Sequence, residues 1–374
     1  MKSDAIYFEN LNSIRFIAAL LVIIHHIEQI KSLFGFDNYW NNATVVLIGK
    51  LGVVIFFVLS GFLISYLLFT EQKITQSIDI KAFYIRRILR IWPLYFILIF
   101  LAFFVLQHFA DFRIPGFDQN TIWNPFPANF LLFVFMLPNL ASVLFGSIPF
   151  ASVAWSIGAE EQFYIIWPYL TKRIKSKWLL TIGFVFLYLA VQYVCLNVLR
   201  SNIYREKLND FIATTPMSCM AIGGVFAALA ISVNPIAKRI QNILFSKILQ
   251  WVILLGTVFL VAIAYKFQYY HYNEWYSILF GLLIFNFASN PNRIFSMEFK
   301  WMKYLGKISY GLYMIHCIVI VFVLNLAVKF GIGSNIILYF LILSLTILLS
   351  GLSYNFVEKR FLKWKDKFTI VKSG

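Results

Sequence analysis

The segment LNSIRFIAALLVIIHHIEQI, residues 11–30, is long enough to cross a bilayer, yet it carries Arg15, His25, His26 and Glu28. A helix turns about 100° per residue, so the path from Arg15 to His26 returns to within roughly 20° of one face. With a rise of about 1.5 Å per residue, the two side chains stand in one column about 16 Å apart. His25 points about 100° away from that column. A guanidinium in a spanning helix costs roughly 2.5–3.5 kcal/mol on insertion scales. The column is therefore expected to face a polar cavity inside the protein.

The rest of the chain fits such a bundle. Its 374 residues are 61% hydrophobic and only 13% charged, with 41 Phe, and apolar runs recur from end to end. That composition excludes a soluble domain and predicts an all-α, polytopic transmembrane bundle. A net charge of +16 reads here as positive-inside topology in a lipid bilayer, and no nucleic-acid partner is expected. Cys195, Cys219 and Cys317 are widely spaced and show no metal-ligand pattern, so they read as small core residues and no metal is expected. The N-terminus has mixed charge and no small-residue cleavage site after its apolar stretch, so the first segment is expected to stay in the mature protein.

Apolar stretches of spanning length fall near residues 11–31, 46–70, 88–109, 153–171, 178–198, 213–232, 247–265, 274–290, 303–327 and 334–357. Residues 129–140 are apolar but short and bracketed by Pro125, Pro127 and Pro138, which suits a re-entrant or interfacial piece. With that piece left out, about ten spans place both termini on one side. The loops on that side then hold 23 Lys and Arg against 6 on the other, with Arg15, Lys31 and Lys50 in or at the ends of spans. Counting the piece as an eleventh span strands the basic tail outside, so cytoplasmic termini are expected. The chain reads as one membrane domain, residues 1–374, ending in a basic cytoplasmic tail, residues 358–374. The longest outer segment, about residues 110–152, contains Trp123 and several prolines and suggests a lid or substrate-binding surface.

Four further stretches carry polar residues. FYIRRILRIWPLYF sets Arg87 and Arg90 three apart on one helix face, where guanidinium forks could hold phosphates or merely anchor to anionic lipid. WSIGAEEQFYIIWP puts Ser156 and Glu160 on one face beside Trp155, with Glu161 about 100° away. A buried carboxylate there could accept a proton or orient an imidazole, or be interfacial. GVVIFFVLSGFLISYLL offers Gly52, Ser60 and Gly61 for close helix packing. LGKISYGLYMIHCIVI carries Tyr310, Tyr313 and His316, with packing the plain reading of that histidine; His108 and His271 read as interfacial.

Together these stretches resemble the acyltransferase-3 family of integral membrane O-acyltransferases. Similar segments occur there in the same order: an Arg–ten residues–His first helix, a small-residue second helix, an Arg-x-x-Arg loop and Trp-Ser-x-x-x-Glu running into QFY. A late SYGLYMIH and the closing SYNFVEKRF with Glu358 complete the set. The resemblance spans essentially the whole chain. Asn12 and Gly158 depart from the family's usual Asp and Ser, and the doubled His25–His26 is unusual, the spacing selecting His26. The resemblance implies transfer of an acyl group, most often acetyl, from cytosolic acyl-CoA to a carbohydrate hydroxyl of the bacterial envelope, such as lipopolysaccharide or another polysaccharide. It implies an inner-membrane enzyme with acyl-CoA as co-substrate and no bound cofactor, and a single module without a fused esterase-like domain. On that reading His26 is the catalytic base or forms an acyl-histidine, Glu160 orients it, and Arg15 stabilises charge. Arg87 and Arg90 bind the donor, with Trp155, Ser156, Tyr310 and His316 in support. The rival reading is a glycolipid transporter or flippase, which would also place charges around a cavity but consume no acyl-CoA.

Overall fold

The computed structural model describes residues 8–117, 126–197, 203–266 and 272–369, and it contains helices and no strand among them. His271, Trp123 and Pro125 lie outside the described residues. Helix α1 (Leu11–Leu33) is preceded by Asn10, fully buried with φ 65°, which stitches its start to the far end of the chain. The Asn10 amide donates to the Phe287 carbonyl at 3.1 Å, and its Oδ1 accepts from the Met297 amide at 2.6 Å. Asn42 caps α2 (Ala43–Thr75) by accepting from the Thr44 amide at 2.9 Å, and Asp79 caps α3 (Ile80–Phe100) through the Ala82 amide at 2.9 Å.

The chain continues through α4 (Ala128–Val134), α5 (Pro138–Phe145), α6 (Trp155–Arg173), α7 (Lys177–Asn197), α8 (Ile203–Ala213) and α9 (Met217–Ile231). There follow α10 (Pro235–Leu244), α11 (Lys247–Ala262), α12 (Tyr272–Ser289), α13 (Lys300–Lys307), α14 (Ser309–Phe330), α15 (Asn335–Ser353) and α16 (Lys359–Lys365). At 33 residues α2 is the central post, about 50 Å long at the helical rise. It crosses α9 at glycines: a Cβ on Gly61 would sit 1.9 Å from the Met220 carbonyl oxygen, and one on Gly223 2.1 Å from that of Val58. Backbones this close leave no room for a side chain, which is the small-residue packing that membrane helices use.

Among the described residues, seven helices are long and apolar enough to cross a membrane, and the bent pair α10–α11, turned 66° at its break, would make eight. This is fewer than the ten expected. The differences are α6, weighed down by Glu160, Glu161, Lys172 and Arg173, and α12, whose first turns carry Asn273 and Glu274. Both bury polar groups against other helices: Glu274 accepts from the Ser218 hydroxyl at 2.6 Å, and the Trp92 indole donates to Glu161 at 3.4 Å. The short apolar piece is indeed broken, into α4 and α5. It is not a surface lid throughout, because α4 docks on the middle of α3, where the buried Tyr95 hydroxyl donates to the Phe133 carbonyl at 2.8 Å. The start of α6 lies against the second turn of α14, where the Tyr313 hydroxyl donates to the Val153 carbonyl at 3.0 Å.

Candidate active site

The first turns of α1 and α14, the middle of α3 and the first half of α6 line a cavity of about 270 Å³, just below the ~300–1,000 Å³ usual for small-ligand sites. Its walls hold Arg15 from α1, Ser60 from α2, Arg87 and Arg90 from α3, Ser156, Glu160 and Tyr164 from α6, and Tyr310 and Tyr313 from α14. Lys307, exposed at the end of α13, marks one mouth, and the tail adds Glu358 and Lys365. Among the described residues, none of these five cations is in ion-pair contact with a carboxylate. Arg15 is steadied instead by its own helix, Nη1 donating to Asn12 Oδ1 at 3.0 Å. The Arg87 guanidinium lies over the rings of Phe83 and Tyr164, each 5.7 Å away, and its buried Nε has no hydrogen-bond partner.

Glu160 accepts from the Tyr164 hydroxyl at 2.9 Å, and Tyr164 in turn bonds Ser60. The carboxylate thus faces the arginines. The contact with His26 expected of Glu160 is made in this geometry by His316. His316 Nε2 lies 3.0 Å from His26 Nδ1, and His26 Nδ1 also lies 3.0 Å from the Val22 carbonyl oxygen. Carbonyls only accept, so the partners assign the tautomers: His26 carries its proton on Nδ1, and His316 on the Nδ1 that points at the Leu312 carbonyl, 3.2 Å away. His316 Nε2 is then an acceptor, and His26 Nε2 is left with a bare lone pair.

The column of α1 therefore divides. Arg15 lines the cavity and His26 does not. Tyr313 lines the cavity and reaches toward the histidine pair, its hydroxyl 2.7 Å from Ser156 Oγ and its ring 6.0 Å from that of His316, with Phe56 5.8 Å away. Of the other expected residues, Tyr310 lines the cavity and donates to the Ile91 carbonyl at 2.8 Å, whereas Trp155 packs on Phe57 with ring centroids 6.1 Å apart and is not on the wall. His25 turns to the Val45 carbonyl and the Trp40 ring.

Sequence reading missed Lys365, Lys307 and Tyr164 as wall residues, and it took Cys317 for plain core. Cys317 Sγ lies 3.4 Å from His316 Nε2, and donor atoms of His26, His316 and Cys317 all fall within 4.8 Å of one another, a spacing that could hold a metal ion. The carbonyl bonds of both histidines and the His–His contact already occupy three of the four ring nitrogens. These residues come from helices 290 positions apart, which no local motif reveals.

A multi-helix membrane protein with a cation-lined cavity next to a histidine pair matches an acyltransferase domain over residues 8–355, and the chain belongs to the acyltransferase-3 family. A Staphylococcus aureus (strain COL) protein with the provisional name O-acetyltransferase SACOL0978 is 29% identical over 373 residues, covering 96% of this chain and 58% of its own length. O-acetyltransferase OatA of Staphylococcus aureus (strain NCTC 8325 / PS 47) is 27% identical, covering 94% of this chain and 57% of its own length. The chain thus spans less than two thirds of the relatives it matches. No solved structure matches it.

Proposed function

We propose that this chain transfers an acetyl group from cytosolic acetyl-CoA to a hydroxyl of a bacterial envelope carbohydrate, working in the inner membrane with both termini in the cytoplasm. The observation that carries the reading is the cavity itself: Arg15, Arg87 and Arg90 line one chamber whose Tyr313 wall backs onto the His26–His316 pair. Unpaired cations suit the phosphates of the donor, and guanidinium forks bind phosphate bidentately. The thin thioester arm runs from them toward Tyr313.

His26 Nε2 takes the proton of the acceptor hydroxyl as its oxygen bonds to the thioester carbonyl carbon. The carbon–sulfur bond then breaks, and the leaving thiolate takes that proton to become the thiol of free CoA. While His26 is protonated, its Nδ1–H donates to His316 Nε2, an acceptor set for that state. Arg15, on the cavity wall about 16 Å down the column from His26, adds to the positive charge that receives the donor. Glu160 offsets part of the arginine charge and holds Tyr164. The names of the two Staphylococcus aureus relatives agree with acetyl as the group moved.

The test is to incubate membranes holding the protein with radiolabelled acetyl-CoA and envelope glycan. Label should enter the glycan, and His26→Ala should abolish this at unchanged protein level. A flippase would consume no acetyl-CoA.

A further inference from the structure

The chain's tail turns one stripe toward the cavity. Tyr354, Glu358, Leu362 and Lys365, spaced at helical intervals, all lie on its wall. Lys365 is half-buried there, while Lys359, Arg360, Lys363 and Lys367 around it are exposed. The tail is tied to the arginine helix. Arg86 Nη1 donates to the Phe368 carbonyl at 2.8 Å, and its Nη2 pairs with Glu71 at 3.3 Å. Glu71 also accepts from the amide of Asp79, the residue that caps α3, at 2.8 Å. Lys365 is thereby held beside the helix that carries Arg87 and Arg90.

A second cavity of about 30 Å³ adjoins the first, with Glu71, Arg86, Arg87, Lys365 and Thr369 on its wall. Arg87 and Lys365 line both cavities, whereas Arg90 lines the large one alone. Among the described residues neither Arg87 nor Lys365 is ion-paired, and Arg87 Nε is buried without a partner. The one carboxylate on the small cavity's wall, Glu71, is already paired with Arg86, so Arg87 and Lys365 converge with a desolvation cost that a multiply charged anion offsets.

Resting on the acyl-CoA reading above, we infer that Lys365 is a third donor-contacting cation. With Arg87 it holds the nucleotide end of the donor and contacts the 3′-phosphate, while Arg90, farther along the large cavity, meets the diphosphate. An ammonium on a flexible stem suits a terminal phosphate monoester, which approaches as a compact charge and needs no planar fork.

The experiment measures release of the free thiol from acetyl-CoA and from acetyl-3′-dephospho-CoA, with envelope glycan as acceptor, by the full chain in proteoliposomes. The wild-type protein should favour the 3′-phosphorylated donor about tenfold in KM, the size of one charge-assisted hydrogen bond. Lys365→Gln should raise KM for acetyl-CoA about tenfold and leave KM for the dephospho donor and kcat unchanged, so the preference collapses. Lys365→Arg should keep most of it. The inference is overturned if Lys365→Gln retains the preference, or raises both KM values alike, as a loosened tail would. A wild-type protein that consumes neither donor instead overturns the acyl-CoA reading on which the inference rests.

Discussion

Replacing His316 tests whether the histidine pair acts as a unit. His316 is fully buried and does not line the cavity, so His316→Leu leaves every donor contact in place. What it removes is the Nε2 acceptor 3.0 Å from His26 Nδ1. The Val22 carbonyl remains and preserves the His26 tautomer. The loss is felt when His26 becomes an imidazolium, because a hydrogen bond to a charged group contributes about 1.5–3 kcal/mol. That converts to a fall in kcat of roughly 10- to 150-fold. KM for acetyl-CoA should stay within about twofold, since no wall residue changes. The assay is acetyl transfer to glycan at varied acetyl-CoA, normalised to the amount of folded protein in the membrane. His316→Gln, whose amide oxygen can accept the same proton, should recover part of the rate. The reasoning is refuted if His316→Leu keeps its kcat, or if the loss appears in the donor KM instead.

Three further outcomes follow from other parts of the molecule. Arg87→Ala should raise KM for acetyl-CoA by about tenfold or more with little change in kcat, read from the same transfer assay; a rise confined to the acceptor KM would contradict the phosphate role. Gly61→Val places side-chain atoms where the Met220 carbonyl stands 1.9 Å from a built Cβ, so the α2–α9 crossing must open and detergent-solubilised protein should elute aggregated in size-exclusion chromatography. Glu28, buried on the opposite end of α1, accepts from Lys31 at 2.8 Å, from the Tyr339 hydroxyl at 2.7 Å and from the Tyr39 amide. Glu28→Ala strands the buried Lys31 and should cost about 3–5 kcal/mol, seen as a marked drop in Tm without loss of donor affinity in what remains folded.

Much of the bundle was legible because lipid leaves few options: long apolar runs must be helices, and Arg15 and His26 share a face by arithmetic alone. The same arithmetic could not see that Arg15 would line the cavity and His26 would not, since the other walls, Tyr313 and Phe56 among them, arrive from other helices. At α6 and α12 the carboxylates find protein partners, Glu160 on its own helix through Tyr164, and Glu161 and Glu274 on other helices through Trp92 and Ser218. Residues 129–140 were expected to be re-entrant or interfacial, and they fall in two short helices, α4 and α5; the docking of Phe133 on Tyr95 is a long-range contact with no local signature. Glu160 was expected to orient His26 on the strength of the family resemblance. Depth does not fix rotation, and α6 turns that carboxylate to Tyr164. Lys365 was hidden among exposed tail lysines, although its spacing from Glu358 and Leu362 held the clue.

The central claim is that His26 Nε2 is the base for acetyl transfer out of the arginine-lined cavity. Its most direct measurement follows the label of radiolabelled acetyl-CoA into glycan in proteoliposomes carrying the wild-type chain or His26→Ala, with both proteins inserted at equal level. The account predicts labelled glycan and stoichiometric free CoA for the wild type and neither for His26→Ala. Labelled glycan from the His26→Ala protein, or a wild-type chain that moves glycolipid across the bilayer while its acetyl-CoA stays intact, would contradict it.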